Sequence, residues 1–330
     1  MFTSKLVLYR HGTVLRTFTS ITRRNHENPL GLPFRPPSAP QMPRRGGPIQ
    51  KRRIEHVKKV IVVASGKGGV GKSTIAVNLA FSLAMLSHRP RVGILDLDIF
   101  GPSIPTLMGL QHSDDPQLTS AGALVPIINH GIPTMSMGYL VPRPPPDSTE
   151  FEGAIVWRGL MVQKAVQQLL FDVDWRDTGG YGPGLDVLII DMPPGTGDVP
   201  LTLGQLVIVD GAVIVSTPQD VALTDVRRGI SMFKKISVPI TGFILNQASF
   251  LCPSCNTTHE LFGPPTNASR LGIPLLAQLP LVGGVSWGGD HGIPFVLEGT
   301  HGGAKDGRAG EMWRDAMNEA ASKIWGLVQS

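Results

Sequence analysis

Residues 60–74 read Val60-Ile61-Val62-Val63-Ala64-Ser65-Gly66-Lys67-Gly68-Gly69-Val70-Gly71-Lys72-Ser73-Thr74, an apolar run that breaks into glycines and then turns polar. Gly66, Gly71, Lys72 and Ser73 fill the pattern G-x-x-x-x-G-K-[ST], in which glycines let backbone N–H groups turn inward around phosphate oxygens. Val60–Ser65 is predicted to be a buried parallel strand. Thr74-Ile75-Ala76-Val77-Asn78-Leu79-Ala80 opens a helix whose N-terminus favours an anion. Lys72 is placed to neutralise the outer phosphates of a nucleotide, and the Ser73 hydroxyl to complete a Mg²⁺ shell. Lys67 adds a second cation that would offset charge developing in phosphoryl transfer, an ordinary solvated lysine being the alternative.

Outward from this loop, apolar runs of five to seven residues alternate with amphipathic segments. Strands are expected at 91–98, 185–191, 211–216, 240–246 and 275–279, and helices at about 158–171, 222–235 and 308–328. Leu124–Ile128 and Pro133–Met137 read as an edge pair, because Pro126 cannot donate to a ladder. The pattern implies an α/β fold, a mostly parallel doubly wound sheet covered by helices on both faces. Ligands on such sheets bind beyond the C-terminal ends of the strands.

Charge separates the chain into parts. Residues 1–59 carry 13 Lys/Arg against Glu27 and Glu55, while the remainder is mildly acidic within a total of +5. The high isoelectric point therefore belongs to the tail, and a nucleic-acid partner is not implied. Residues 1–28, basic, hydroxyl-rich and free of acids before Glu27, have the composition of a mitochondrial transit peptide, a disordered basic arm being the alternative. Residues 29–55, rich in proline and ending in a basic run, read as a disordered linker. Residues 56–330 form the phosphate-loop domain. No apolar stretch in it is suited to span a bilayer.

Acidic residues follow the strands. Asp191 closes an apolar strand as a metal-site acid should, and Met192–Asp198 (Met-Pro-Pro-Gly-Thr-Gly-Asp) follows as a turn able to sense a terminal phosphate. Asp96 and Asp98 flank Leu97, so an extended strand points both carboxylates to one face. One is then available for Mg²⁺-bound water and the other for the attacking water. Met161, Met192 and Trp157 read as packing residues.

Cys252-Pro253-Ser254-Cys255 uses both cysteines of the chain. Two cysteines placed at random take this spacing roughly once in 170 chains of this length, so the pair is read as chemistry. Two thiolates can hold one metal or two corners of a cluster, and four ligands are needed. A symmetric dimer supplies them as Cys252 and Cys255 from each copy. A zinc shared across a dimer has the same ligand set, and His259 is a possible third ligand. A redox dithiol needs a helix after the first cysteine, which Asn256-Thr257-Thr258 argues against.

The loop at 66–74, Asp96-Leu-Asp-Ile-Phe-Gly-Pro-Ser-Ile-Pro, Asp191-Met-Pro-Pro-Gly-Thr-Gly-Asp and Ser216-Thr-Pro-Gln-Asp together resemble the Mrp-type branch of the deviant P-loop ATPases. These are iron–sulfur carriers related to septum-positioning and plasmid-partition ATPases, and the transit-like N-terminus resembles that of the mitochondrial branch serving respiratory complex I. The resemblance runs from about residue 54 to 300. It implies a homodimer that binds ATP and Mg²⁺ through Gly66, Lys67, Gly68, Gly69, Val70, Gly71, Lys72, Ser73 and Thr74. It implies that Lys67 reaches the partner's nucleotide, that Asp98 positions the water, that Asp96 and Asp191 lie on the Mg²⁺ side, and that Asn246 contacts adenine. It further implies a bridging [4Fe–4S] cluster at Cys252 and Cys255, weak ATP hydrolysis coupled to its transfer, and apo iron–sulfur proteins of the mitochondrial matrix as recipients. A positioning ATPase is the competing reading. Such proteins need a basic amphipathic terminus, and residues 308–328 carry no net charge.

Overall fold

The computed structural model describes residues 50–140, 159–176, 182–263, 271–298 and 306–329. The expected transit peptide, residues 29–49 of the expected linker, and Trp157 lie outside them. β1 (Val57–Ser65) runs into the phosphate loop and α1 (Lys72–Ala84) leaves it. β2 (Val92–Asp96), the single turn α2 (Ile104–Leu107), β3 (Ile127–Asn129) and β4 (Ile132–Ser136) follow. Then come α3 (Gly159–Phe171), β5 (Leu185–Asp191), α4 (Asp198–Leu206), β6 (Gly211–Ser216), α5 (Asp220–Lys235) and β7 (Ile240–Leu245). The chain continues through β8 (Phe250–Leu251), β9 (Thr258–His259), β10 (Leu275–Gln278), α6 (Gly283–Asp290), α7 (Phe295–Glu298) and α8 (Gly307–Gln329).

Eight strands form one sheet in the order β10-β7-β6-β1-β5-β2-β4-β3. All neighbours run parallel except β3, which pairs antiparallel with β4 at the edge. Every residue of β2 and β6 is buried, which is what uninterrupted apolar runs require when helices cover both faces. Ile61, Val62 and Val63 have no exposed surface, and burial of each side chain contributes about 1.5–3 kcal/mol. α1 lies under the sheet's covering layer with ten of its residues buried, so its sequence shows little amphipathic contrast. α8 packs Trp313, Met317, Ala320 and Ile324 into the core, with Trp313 edge-on to Phe295 at 5.2 Å.

Several expectations shift. The second strand stops at Asp96, two residues before Asp98. Leu124 makes isolated bridges to Leu118 and Val173 rather than joining the edge strand. Met161 is exposed on α3, where a packing position was expected; Met192 is buried as expected. The end of the expected linker is seated on the body. Arg52 bridges to Val207, its guanidinium lies 3.6 Å from the Phe171 ring centre, and Ile54 is buried. An apolar residue and a stacked cation hold this stretch down although its composition reads as solvated.

Candidate functional site

The register brings the acids together. Val63 of β1 and Asp96 of β2 both align with Asp191 of β5, so three strands finish side by side under the phosphate loop. Gly195 N–H donates to Ser65 O at 2.8 Å, tying the turn after β5 to the start of the loop. Gly71, with φ 83°, turns the chain into α1, whose first N–H groups have no intrahelical acceptor.

The glycines divide their work. Gly68 and Gly69 face open space and give access to the loop's N–H groups, as a phosphate cradle needs. At Gly66 a Cβ would come within 2.6 Å of the Asp225 backbone, and at Gly71 it would collide with Asn246 Nδ2. Those two glycines let neighbouring elements press against the loop.

A cavity of ≈ 410 Å³ opens over the loop, lined there by Ser65, Lys67, Gly68, Gly69 and Gly71–Thr74, and elsewhere by Asp98, Pro194 and residues of α2 and α6. Lys72 Nζ, only 7% exposed, donates to Asp191 Oδ1 at 2.6 Å and to Ser73 Oγ at 3.1 Å, and lies 4.0 Å from Asp98 Oδ2. One ammonium thus faces two carboxylates. Burial pushes the Asp191 carboxyl above its ordinary pKa, opposed by Lys72, and burial likewise raises Asp98. Asp191 Oδ2 is buried with no hydrogen-bond partner among the described residues. A surplus of negative charge, an orphaned carboxylate oxygen and an adjacent hydroxyl fit a divalent cation; an open rank of N–H groups fits phosphates. Ser73 and Asp191 would hold Mg²⁺, directly or through water, and the ion would supply neutralisation of phosphate charge.

Asp96 is placed differently from the expected pair. Because β2 stops there, the chain turns. Asp96 Oδ1 accepts from Asp98 N–H at 2.9 Å, while Oδ2 accepts from Ser136 Oγ–H at 3.0 Å and Ile104 N–H at 3.3 Å. Burial, then the charge of Asp191, pushes its pKa up to about 8, against donors that favour the ionised form. Asp96 latches the turn that presents Asp98; only Asp98 of the two reaches the cavity.

Asn246 Nδ2 donates to Val70 O at 2.9 Å and its Oδ1 accepts from Gln247 N–H at 3.0 Å, so its amide braces the phosphate loop. Lys67 lines the cavity. Its ammonium donates to Gln219 Oε1 at 3.2 Å, and Gln219 in turn accepts from Thr217 Oγ1–H at 2.7 Å. Gln219 as the support of Lys67 is absent from the sequence reading, although it falls inside the Ser216-Thr-Pro-Gln-Asp motif.

The cysteines occupy the turn of the β8–β9 hairpin, which rules out a helix after Cys252. Cys252 N–H donates to Thr257 O at 3.0 Å, and Asn256 N–H to Cys252 O at 2.9 Å. Cys255 is exposed with Sγ 3.2 Å from Thr257 Oγ1, and hydrogen bonding by Thr257 holds its pKa below the ordinary thiol value. Among the described residues no third His, Cys, Asp or Glu joins the pair as a metal ligand, His259 included. Leu281 N–H donates to Ser249 O at 2.7 Å and anchors the hairpin's base at the sheet's C-terminal edge.

A parallel sheet with a phosphate loop after β1, an acid ending β5 beside its lysine, and a second lysine inside the loop defines a P-loop nucleoside triphosphatase. Comparison with known proteins narrows the class: residues 56–311 match the family model of the ParA group described as the NUBPL iron-transfer P-loop NTPase, and the chain belongs to that family. It is 46% identical over 260 residues to the mouse iron-sulfur cluster transfer protein NUBPL, covering 78% of this chain and 76% of that one. It is 44% identical over 255 residues to the Arabidopsis thaliana iron-sulfur protein required for NADH dehydrogenase, mitochondrial, covering 76% of each. Among solved structures, the nucleotide-binding protein of Archaeoglobus fulgidus in complex with ADP superposes with a TM-score of 0.59 at 34% identity, over 73% of this chain and 89% of that one.

Proposed function

We propose that this chain is an ATP-binding iron–sulfur carrier. As a homodimer it holds a [4Fe–4S] cluster as cargo between the Cys252 and Cys255 pairs of two copies, and passes it to apo-proteins, subunits of NADH dehydrogenase among them. The observation that carries the reading is the unfinished ligand set: two thiols on one hairpin turn, one with a lowered pKa, and no third ligand beside them among the described residues. The names of the mouse and Arabidopsis relatives support the cargo and the client. The composition of residues 1–28 and the Arabidopsis relative's name support a mitochondrial destination, which we assign to the matrix.

In this mechanism Lys72 and the loop N–H groups hold the phosphates, with Ser73 and Asp191 on the Mg²⁺ side. Asp98, presented by the Asp96 latch, orients water for slow hydrolysis. Gln219 keeps Lys67 extended at the rim, from where it reaches the partner's nucleotide. A positioning ATPase finds no support in α8, whose apolar face is spent on the core.

Anaerobic reconstitution with iron and sulfide tests the reading. Brown protein is expected, with four irons per dimer and visible absorption lost in Cys252→Ala and Cys255→Ala. Colourless protein that instead holds one zinc per dimer would sink it in favour of a zinc-bridged dimer.

A further inference from the structure

A second cavity opens at the other end of the sheet, where strands begin. It measures ≈ 300 Å³, and its lining includes Lys58 and Lys59 from β1, Asp186 from β5, His88 and Pro90 from the connection between α1 and β2, and Trp325 from the last turns of α8. Lys59 stands six residues before Ser65, so about 20 Å of extended strand separates this cavity from the phosphate loop. The phosphate and thiolate chemistry described above uses none of these side chains.

Contacts within the chain hold the walls in place. The His88 and Trp325 rings stack with centroids 5.0 Å apart and planes 26° apart, and Arg89 N–H donates to Leu86 O at 2.8 Å, closing the turn that carries His88. Trp325 is half-buried against the core, while His88 and Lys58 are exposed. An aromatic wall and two ammonium groups therefore border one space. Charge around it is unequal, because four cations share two carboxylates. Lys58 and Arg91 meet at Asp186, and Arg53 and Lys59 meet at Asp210, at 3.6 and 3.4 Å. That is the reverse of the nucleotide site, where two carboxylates face one ammonium. Surplus positive charge beside aromatic rings favours an anion carried on a flat apolar body.

The volume lies at the lower end of the range for small-ligand sites, more than a bare inorganic anion fills. Such sites enclose most of their ligand, yet of this lining only Pro90 is buried. So open a dish suits one side chain of a larger molecule, whose own surface then covers the rim.

We propose that this cavity docks an acidic segment of a protein partner: an aromatic side chain of the segment enters against the His88–Trp325 stack, and carboxylates beside it pair with Lys58 and Lys59. The aromatic anchor supplies most of the affinity, and the charges supply orientation and salt dependence. The inference stands apart from the nucleotide and cluster readings, since it shares no residue with either site.

The test is calorimetric titration of the full chain with the blocked peptide Glu-Asp-Phe-Asp-Glu, with the same peptide carrying alanine at its centre, and with one carrying lysine for every acid. The phenylalanine peptide is expected to bind about tenfold more tightly than the alanine one and to weaken as salt rises, while the lysine peptide does not bind. Lys58→Ala/Lys59→Ala should lower that affinity about fivefold and flatten its salt dependence. His88→Ala, at an exposed position, should lower it by a similar factor by removing half of the aromatic wall. Circular dichroism should be unchanged in both variants. Equal affinity for the phenylalanine and alanine peptides overturns the inference, as does full affinity in either variant. Phosphatidylglycerol vesicles form the last arm: binding to them that both variants abolish, with no peptide binding, assigns the patch to a lipid surface and overturns the inference. Should the double variant lose its native spectrum, His88→Ala decides alone by the same criteria.

Discussion

β5 carries an aspartate near each end, and the two live in opposite worlds. Asp186, at the strand's beginning, is partly exposed and clamped by Lys58 at 2.8 Å and by Arg91 through Nε and Nη2, both at 3.1 Å. The Arg91 guanidinium holds its carboxyl well below the ordinary carboxylate range. Asp191, at the strand's end, is wholly buried, and burial drives it the other way. One strand therefore separates a carboxylate satisfied by the protein from one left waiting for a ligand. The edge of the sheet where strands begin stores stability; the edge where they end holds groups whose partners are incomplete among the described residues.

The strongest challenge to this contrast is a double-mutant cycle on Lys72 and Asp191. Lys72→Met leaves a buried carboxylate without its cation and should cost about 3 kcal/mol in urea unfolding, with nucleotide binding lost. Adding Asp191→Leu should restore most of that stability without restoring binding. A double variant no more stable than Lys72→Met would show that the cost does not come from leaving the buried Asp191 carboxylate without its cation.

A smaller effect is expected at the other end. The Asp186 pKa is depressed in the folded chain, so its ion pairs contribute fully above the unfolded carboxylate value of about 4 and fade as pH falls below it. Because the site is partly solvated, Asp186→Asn should cost about 1 kcal/mol at neutral pH, and less with each step into acid. A cost that stays level between neutral pH and pH 2 would show that packing, not charge, holds the clamp.

The smallest effect belongs to the thiols. Cys252→Ser and Cys255→Ser, on a solvent-facing turn, should leave the stability of the cluster-free chain within about 0.5 kcal/mol of wild type. A larger loss would mean that the turn serves the fold as well as the cargo.

Those contrasts also mark what the sequence made legible. Uninterrupted apolar runs such as Val60–Ala64 and Ile189–Ile190 declare buried parallel strands, and the glycine–lysine loop declares its ligand, because both signals are local. The site's supports are not local. Lys67 meets Gln219 across 152 residues and Asn246 meets Val70 across 176, and no periodicity encodes such pairings. The two aspartates around Leu97 misled for a different reason. Their spacing fits a strand, but Asp96 bonds its own neighbour's N–H and ends the strand by doing so. The basic run before Ile54 reads as linker because stacking of Arg52 on Phe171 depends on a residue more than a hundred positions away.

Asn246, which braces Val70, and Cys252 are only six Cα–Cα steps apart, with five residues between them. A chain that short spans at most about 20 Å even when fully extended. The phosphate loop and the thiols are therefore at opposite ends of a short fixed ruler. In the carrier proposed above, a client of ordinary domain size docked on the hairpin would lie within one domain diameter of the phosphate loop. On that reading, chain length alone keeps client and nucleotide close.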